Sequence, residues 1–265
     1  DLRMIFVLLE VKDLNISLTS EKSVAEHISF RLGQGEMLSI VGSSGAGKTT
    51  ICKAIMGLLG NTYRADGEIL FQGEDLLDLP ERKRQTIYGK EICLIMQNPM
   101  TAFNPSIRVG RQMEKTYLLH HGKTPRQEMQ RLFAAILQKL GLEDTQRILN
   151  SYPFTLSGGM LQRLMIAAAL MCQPALLVAD EATTAIDACN RIGLMRELKS
   201  FCKDGMSVLF VTHDLRSASV SDRILVMDRG QIVEQGKTEQ ILNTPKEDYT
   251  KYLLNACRLE RREMS

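Results

Sequence analysis

Two kinds of apolar spacing divide the chain. Near the start, Phe6-Val7-Leu8-Leu9-Glu10-Val11 is a compact apolar run, and Ile28-Ser29-Phe30-Arg31-Leu32 alternates apolar and polar side chains. Both patterns predict strands. Gly33-Gln34-Gly35 is a turn, and Met37-Leu38-Ser39-Ile40-Val41 predicts a buried strand that runs straight into a glycine-rich segment. Gly67-Glu68-Ile69-Leu70-Phe71 and Glu91-Ile92-Cys93-Leu94-Ile95-Met96 predict two more. From about 106 to 172 the spacing turns helical, with Leu132, Ala135, Ile136, Lys139 and Leu140 on one face and Gly141 as the stop. Strands then return at Ala175–Ala179, Ser207–Val211 and Ile224–Met227, with a helix near 188–203 and a short helix after Thr212. Buried apolar strands alternating with helices predict an α/β fold with a mainly parallel sheet covered on both faces. A helical block is inserted between strands of that sheet. No internal repeat and no low-complexity linker interrupts the pattern.

Composition narrows the class. At 265 residues, the chain forms one large domain or two small ones. It is long enough to bury about 70–75% of its unfolded surface. A hydrophobic fraction of 44% and a charged fraction of 24% exclude disordered, collagen-like and coiled-coil chains. The net charge of +2 supplies no field to hold nucleic acid or anionic lipid. The longest apolar run, Leu164 to Cys172, falls far short of the roughly 20 residues a spanning helix needs. The start, acidic Asp1 followed by a short apolar run, does not read as an export signal. The expectation is a soluble chain tied to any membrane through a partner. Cys52, Cys93, Cys172, Cys189, Cys202 and Cys257 show no CxxC spacing and read as reduced, mostly buried small hydrophobes.

Three segments carry chemistry. Gly42-Ser43-Ser44-Gly45-Ala46-Gly47-Lys48-Thr49 fits the phosphate-loop pattern GxxxxGK followed by Ser or Thr, between a strand and a helix, with Thr50 next in line. Its glycines let backbone N–H groups turn inward around phosphate, Lys48 adds charge, and the Thr49 hydroxyl is a hard ligand suited to Mg²⁺. The helix that follows points its positive end at the anion. Asp180-Glu181 closes the strand Ala175–Ala179. Asp180 suits Mg²⁺ and Glu181 suits an attacking water, although an Asp-Glu pair alone also reads as a helix cap. Leu156-Ser157-Gly158-Gly159-Met160-Leu161-Gln162-Arg163 opens a helix, with Ser157 as N-cap. It is a second anion site in a chain with one phosphate loop.

The phosphate loop, LSGGMLQR and Ala179-Asp180-Glu181, in that order, resemble the nucleotide-binding subunit of ABC transporters. Gln97, ending a strand, matches the family's Q-loop glutamine, Thr184-Ala185-Ile186-Asp187 its D-loop, and His213 its switch histidine. The resemblance runs from about Leu9 to Leu254. It implies a P-loop NTPase (RecA-like) core in one nucleotide-binding domain over 1–265, with an N-terminal antiparallel β subdomain. It also implies an inserted helical subdomain over 98–165 and a charged tail over 255–265.

The resemblance further implies ATP and Mg²⁺ as cofactors. Catalysis falls to Glu181, His213, Gln97 and Lys48. Gly42 to Thr50 and Leu18 bind ATP, Thr49, Gln97 and Asp180 hold the metal, and Asp187 serves the D-loop. Leu156, Ser157, Gly158, Gly159 and Gln162 act on ATP held by a partner. Implied partners are a second, paralogous ATPase subunit, two membrane permease subunits and, indirectly, an external substrate-binding protein, with no nucleic acid. The implied location is peripheral, on the cytoplasmic face of the inner membrane.

Gln97-Asn98-Pro99-Met100-Thr101-Ala102-Phe103-Asn104-Pro105 is similar to the extended Q-loop of the dipeptide, oligopeptide and nickel importer group. Leu161 and the short stretch after Leu254 lean toward its nickel and metallophore members. Peptide importers are the alternative; a nucleic-acid-linked ABC ATPase and a regulator without turnover are further ones. Two positions depart from the family pattern: Ala182 replaces proline, and Leu18 replaces the aromatic that stacks on adenine. His120-His121 reads as a solvated pair, the 14 methionines as core or interface filler, and Arg258 to Arg262 as a solvated tail.

Overall fold

The computed structural model describes residues 6–181 and 188–263, and the side-chain surroundings of 6–181 and 191–257. Ten strands and ten α-helices lie within them. The central sheet has six strands in the order β10(Gln231–Lys237), β9(Arg223–Asp228), β3(Met37–Val41), β8(Ser207–Thr212), β7(Leu176–Asp180) and β6(Ile92–Ile95). Its pairs from β9 to β6 are parallel. Every residue of β3 and β8 is buried, as strands sandwiched between two layers require. Only the β9–β10 pair is antiparallel. Its two-residue turn puts Arg229 at φ 44° and Gly230 at φ 83°, the left-handed pairing that suits the twist of a tight hairpin.

A second, four-stranded antiparallel sheet has the order β2(Ser23–Gly33), β1(Val7–Leu18), β4(Tyr63–Phe71) and β5(Glu74–Asp75). Its buried face meets α1(Lys48–Ile55) and one side of the central sheet in an apolar core that includes Leu14, Ile28, Ile51 and Leu209. Between β6 and β7 the chain makes α3(Val109–His121), α4(Arg126–Lys139), α5(Thr145–Asn150) and α6(Gly158–Met171). These helices bury Met113, Phe133, Leu137 and Leu164 together with Phe210 from β8. A third cluster joins α8(Leu215–Ala218) and α9(Thr238–Asn243) to Val41, Ile224 and Val226. The side chains of Tyr249 and Leu253 from α10(Asp248–Glu263) pack against it.

Several expectations shift. The strand expected from Gly67 begins at Tyr63, and β10 and the three helices α2(Glu81–Ile87), α9 and α10 have no counterpart in the apolar pattern. The segment expected as a tail from 255 continues α10 to Glu263; the side chains of Arg258 to Arg262 lie outside the described set. His121 is exposed, as expected, and His120 is half-buried, but the pair also makes contacts. His121 stacks on Tyr117, with centroids 4.3 Å apart, and its Nε2–H donates to the Met171 carbonyl at 3.0 Å. Burial, His121 and Lys90 lower the pKa of His120. Cys52, Cys93, Cys172 and Cys202 are buried free thiols, while the side chain of Cys189 lies outside the described set. No described helix is long and apolar enough to cross a membrane.

Candidate functional site

Parallel strands deliver their C-terminal ends to one edge of the sheet, and β3, β7 and β8 bring three chain segments together there. After Val41 the chain turns through Gly42 to Gly47 and starts α1 at Lys48. Gly42 is required sterically, since a Cβ there would lie 2.2 Å from the Met227 carbonyl oxygen. Gly47, the N-cap of α1, sits at φ 95° with its missing Cβ 2.8 Å from the Val24 carbonyl, so it is excluded from other residues twice over. At Gly45 (φ 84°) a Cβ would meet nothing within 4 Å, which leaves open space over the loop.

Lys48 is buried to 5% exposure, and its Nζ donates to the carbonyls of Gly42 and Ser43, both at 2.8 Å. Burial lowers its pKa, while Glu181 and Asp180 pull it back up. At the end of β7, Asp180 Oδ1 accepts a hydrogen bond from Thr49 Oγ1 at 3.2 Å. Burial raises the Asp180 pKa against the lowering effect of that bond. Glu181 follows at φ 48°, a left-handed conformation costing a non-glycine residue on the order of 1–3 kcal/mol. Its N–H is held by the Val211 carbonyl at 2.9 Å. Its carboxylate accepts from Gln97 Nε2 at 2.7 Å on one oxygen and lies 3.4 Å from His213 Nδ1 on the other. Residues 84 and 32 positions away thus converge on one carboxylate. Gln97 stands two residues beyond β6 rather than at its end.

The donor set suits phosphate and a hard cation. The loop offers turned amides and a fixed ammonium. Thr49 and Asp180 pair two hard oxygens, the kind of partial shell Mg²⁺ takes when phosphate and water complete it. Among the described residues no group of three or more His, Cys, Asp or Glu forms a metal cage. Gln97 is placed against Glu181 rather than against Thr49 or Asp180 by the bond given above.

Other expected residues fall elsewhere. Leu18 ends β1, half-buried, paired across the ladder with Tyr63, an aromatic that reading position 18 alone does not reveal. Ser157 caps α6 as expected, accepting from the Met160 N–H at 3.3 Å. Leu156 is half-buried, Ser157 and Gly158 are exposed, and a Cβ on Gly159 would meet nothing within 4 Å. Gln162 departs from expectation. The helix turns it inward beside Leu161 and Met165, fully buried, so its amide does not reach a partner from this position. Ala182 and Asp187, with the whole segment Thr184 to Asp187, lie outside the described residues.

The sequence reading missed Tyr249, whose hydroxyl accepts the Ser43 N–H at 3.1 Å. It also missed Asp214, which caps α8 and pairs with Arg191 at 3.2 Å behind His213. Asp214 carries the local signal of an aspartate before a helix, while no local pattern marks Tyr249.

The family model described as ABC transporter matches residues 25–184. The metal-staphylopine import system ATP-binding protein CntD of Staphylococcus aureus is 41% identical over 251 residues, 94% of this chain and 92% of that protein. The oligopeptide transport ATP-binding protein OppD of Bacillus subtilis is 41% identical over 254 residues, 93% of this chain and 71% of that protein. Among solved structures, the ATP-binding cassette MJ0796, a dimer in a post-hydrolysis state with ADP and Pi, superposes with a TM-score of 0.76. It is 27% identical and covers 87% of this chain and 98% of its own. With a family model across more than half its length and curated relatives along nearly all of it, the chain belongs to the ABC transporter family, as an ATP-hydrolysing subunit of the importer kind.

Proposed function

We propose that the chain drives import of a metal chelate, nickel or a related metal. In this reading Glu181 is the catalytic carboxylate, and the observation that carries it is the convergence of Gln97 and His213 on its two oxygens. Lys48 and the loop between Gly42 and Thr50 hold the β- and γ-phosphates, through amides other than that of Ser43, which Tyr249 occupies. Glu181 orients the attacking water and takes up its proton, while His213 faces the γ-phosphate side. Gln97 holds the carboxylate in place and links it to the helices that follow β6. Thr49 and Asp180 would hold Mg²⁺, which neutralises charge as the phosphoryl group transfers.

The Ser157–Gly159 turn serves a second cassette. Gly159 has no packing reason of its own to lack a side chain, which supports close approach by another molecule. ATP is then sandwiched between Lys48 of one subunit and the signature turn of a paralogous partner, and hydrolysis releases the pair. The helical block over 98–165 carries that motion to two membrane permease subunits, so the chain sits peripherally at the membrane's cytoplasmic face. Leu18 offers the adenine apolar contact without a π-face.

Peptide import is the second reading, because the oligopeptide relative is as similar in sequence as the metal-staphylopine one. The test is ATPase activity of the assembled complex with its permease pair and binding protein. Stimulation by binding protein loaded with a nickel chelate, and none by peptide-loaded protein, supports the metal reading; the reverse replaces it with the peptide reading. No stimulation by any loaded binding protein sinks both.

A further inference from the structure

The phosphate loop is held from behind by α10, the last of the described helices. Tyr249 Oη accepts the N–H of Ser43, a contact bridging 206 positions. That N–H belongs to the peptide unit joining Gly42 to Ser43, and the carbonyl of the same unit, Gly42 O, accepts from Lys48 Nζ at 2.8 Å. A peptide unit is planar and rigid, so its two ends turn together. Any rotation that takes the N–H off Tyr249 also swings Gly42 O away from Lys48. Gly42 has no Cβ to resist that rotation, so the plane needs an outside anchor. The neighbouring Ser43 carbonyl accepts from both Lys48 Nζ and the Ala46 N–H, so the first turn of the loop depends on this one orientation.

Tyr249 is itself fixed. Just before α10, Glu234 accepts the N–H groups of Lys246 and Glu247 at 2.8 and 3.2 Å. The tyrosine ring packs in the cluster that contains Val41, the residue before Gly42, and Leu215 of α8. Arg216 of α8 donates to the Cys257 carbonyl further along α10. One helix therefore touches both the phosphate loop and the short helix that begins two residues after His213.

We propose that Tyr249 is a positioning residue for Lys48, and that α10 is a working part of the nucleotide site. Its hydroxyl sets the Gly42–Ser43 peptide plane, which presents the Lys48 ammonium to the phosphates. The proposal rests on the reading of Lys48 as the phosphate-binding lysine.

The experiment compares Mg-ATP binding, by displacement of a fluorescent nucleotide, and steady-state hydrolysis. The full-length chains are wild type, Tyr249→Phe, Ser43→Pro, the double variant and Lys48→Ala. Tyr249→Phe keeps the packed ring and loses only the acceptor; Ser43→Pro removes the donor. Tyr249→Phe is expected to weaken binding about threefold to tenfold, the worth of one hydrogen bond. KM for ATP should rise by a similar factor with kcat nearly unchanged, since Glu181 is untouched. In the Ser43→Pro background the same change should have no effect, because there is no N–H left to hold. The proposal is overturned if Tyr249→Phe binds as wild type does, or if it loses the same factor in both backgrounds. With Lys48→Ala defective, such a result removes only the tyrosine's role. A Lys48→Ala chain that binds normally overturns the phosphate-loop reading and this proposal with it.

Discussion

Replacing Glu181 with Gln changes charge with little change of shape, and the site shows why the effect should be chemical. One oxygen of Glu181 receives Gln97 Nε2 at 2.7 Å. A glutamine carbonyl oxygen in the same place keeps that bond. Its amide nitrogen then faces His213 Nδ1, now 3.4 Å from the carboxylate, and the imidazole accommodates a donor by switching tautomer. The N–H of residue 181 stays on the Val211 carbonyl. What goes is the negative charge that, in the proposed mechanism, takes a proton from water. Losing a positioned base slows the chemical step by about 10²–10⁴-fold, or about 3–5 kcal/mol of barrier at roughly 1.4 kcal/mol per tenfold. Binding should persist, because Lys48 is seated on Gly42 and Ser43, and Thr49 on Asp180, none of them through Glu181. The assay is single-turnover phosphate release with the partner ATPase subunit present, alongside Mg-ATP affinity and size-exclusion chromatography. The variant should bind ATP, release phosphate slowly and accumulate as the closed pair. Lys48→Ala should instead fail to bind. Wild-type phosphate release from Glu181→Gln would refute the assignment of the carboxylate.

Other expectations follow from the same geometry. Gly42→Ala forces a Cβ against a backbone carbonyl 2.2 Å away and should cost about 1–3 kcal/mol, lowering Tm by about 2–12 °C and weakening ATP binding. Gly159→Ala, with open space around it, should leave Tm unchanged or raise it through helix propensity, yet depress turnover of the assembled complex; equal turnover would remove the signature turn from the mechanism. Leu18→Tyr should tighten ATP binding by about twofold to tenfold through stacking on the base, and unchanged affinity would place the adenine elsewhere. In imidazole NMR titrations His27 should titrate above 6.5, because Asp13 accepts its hydrogen bond, and His120 below 6.5, because it is buried near His121 and Lys90. The His27 contribution to stability is therefore full below 6.5 and lost as pH rises through its raised value; for His120, stability falls as pH drops below 6.5.

Legibility in the sequence follows how far apart the interacting residues are. β3 and the loop after it are read directly, because an apolar run, three glycines and Lys48-Thr49 lie within thirteen consecutive positions. β8 is equally plain, since a strand buried on both faces must be apolar throughout. β10 is not, because Gln231, Glu234, Gln235 and Lys237 line an edge strand whose pairing is set by the turn at Arg229 and Gly230. The inward turn of Gln162 escapes notice for a related reason. A polar residue in a signature motif suggests a surface role, whereas its position next to Leu161 and one helical turn before Met165 and Ile166 puts it on the buried face.

Pairing across the fold is the part no local pattern encodes. Apolar spacing tells each strand which faces to bury, but not which strand lies beside it. The order β9-β3-β8-β7 is what places Thr49, Asp180, Glu181 and His213 at one edge. Gln97 arrives there from beyond β6, the strand at the sheet's far side. Family resemblance supplied those neighbours because a motif set carries the sheet order implicitly. It supplied nothing for Tyr249, which lies outside every motif and within a segment that reads as mostly polar. A tyrosine 206 positions from Ser43 becomes visible only when α9 and the Glu234 clasp have folded α10 back beneath β3. The residues proposed for the chemistry are thus legible by type and motif. Those that hold them in register are legible only through topology, and variants at the second group test the fold and the function together.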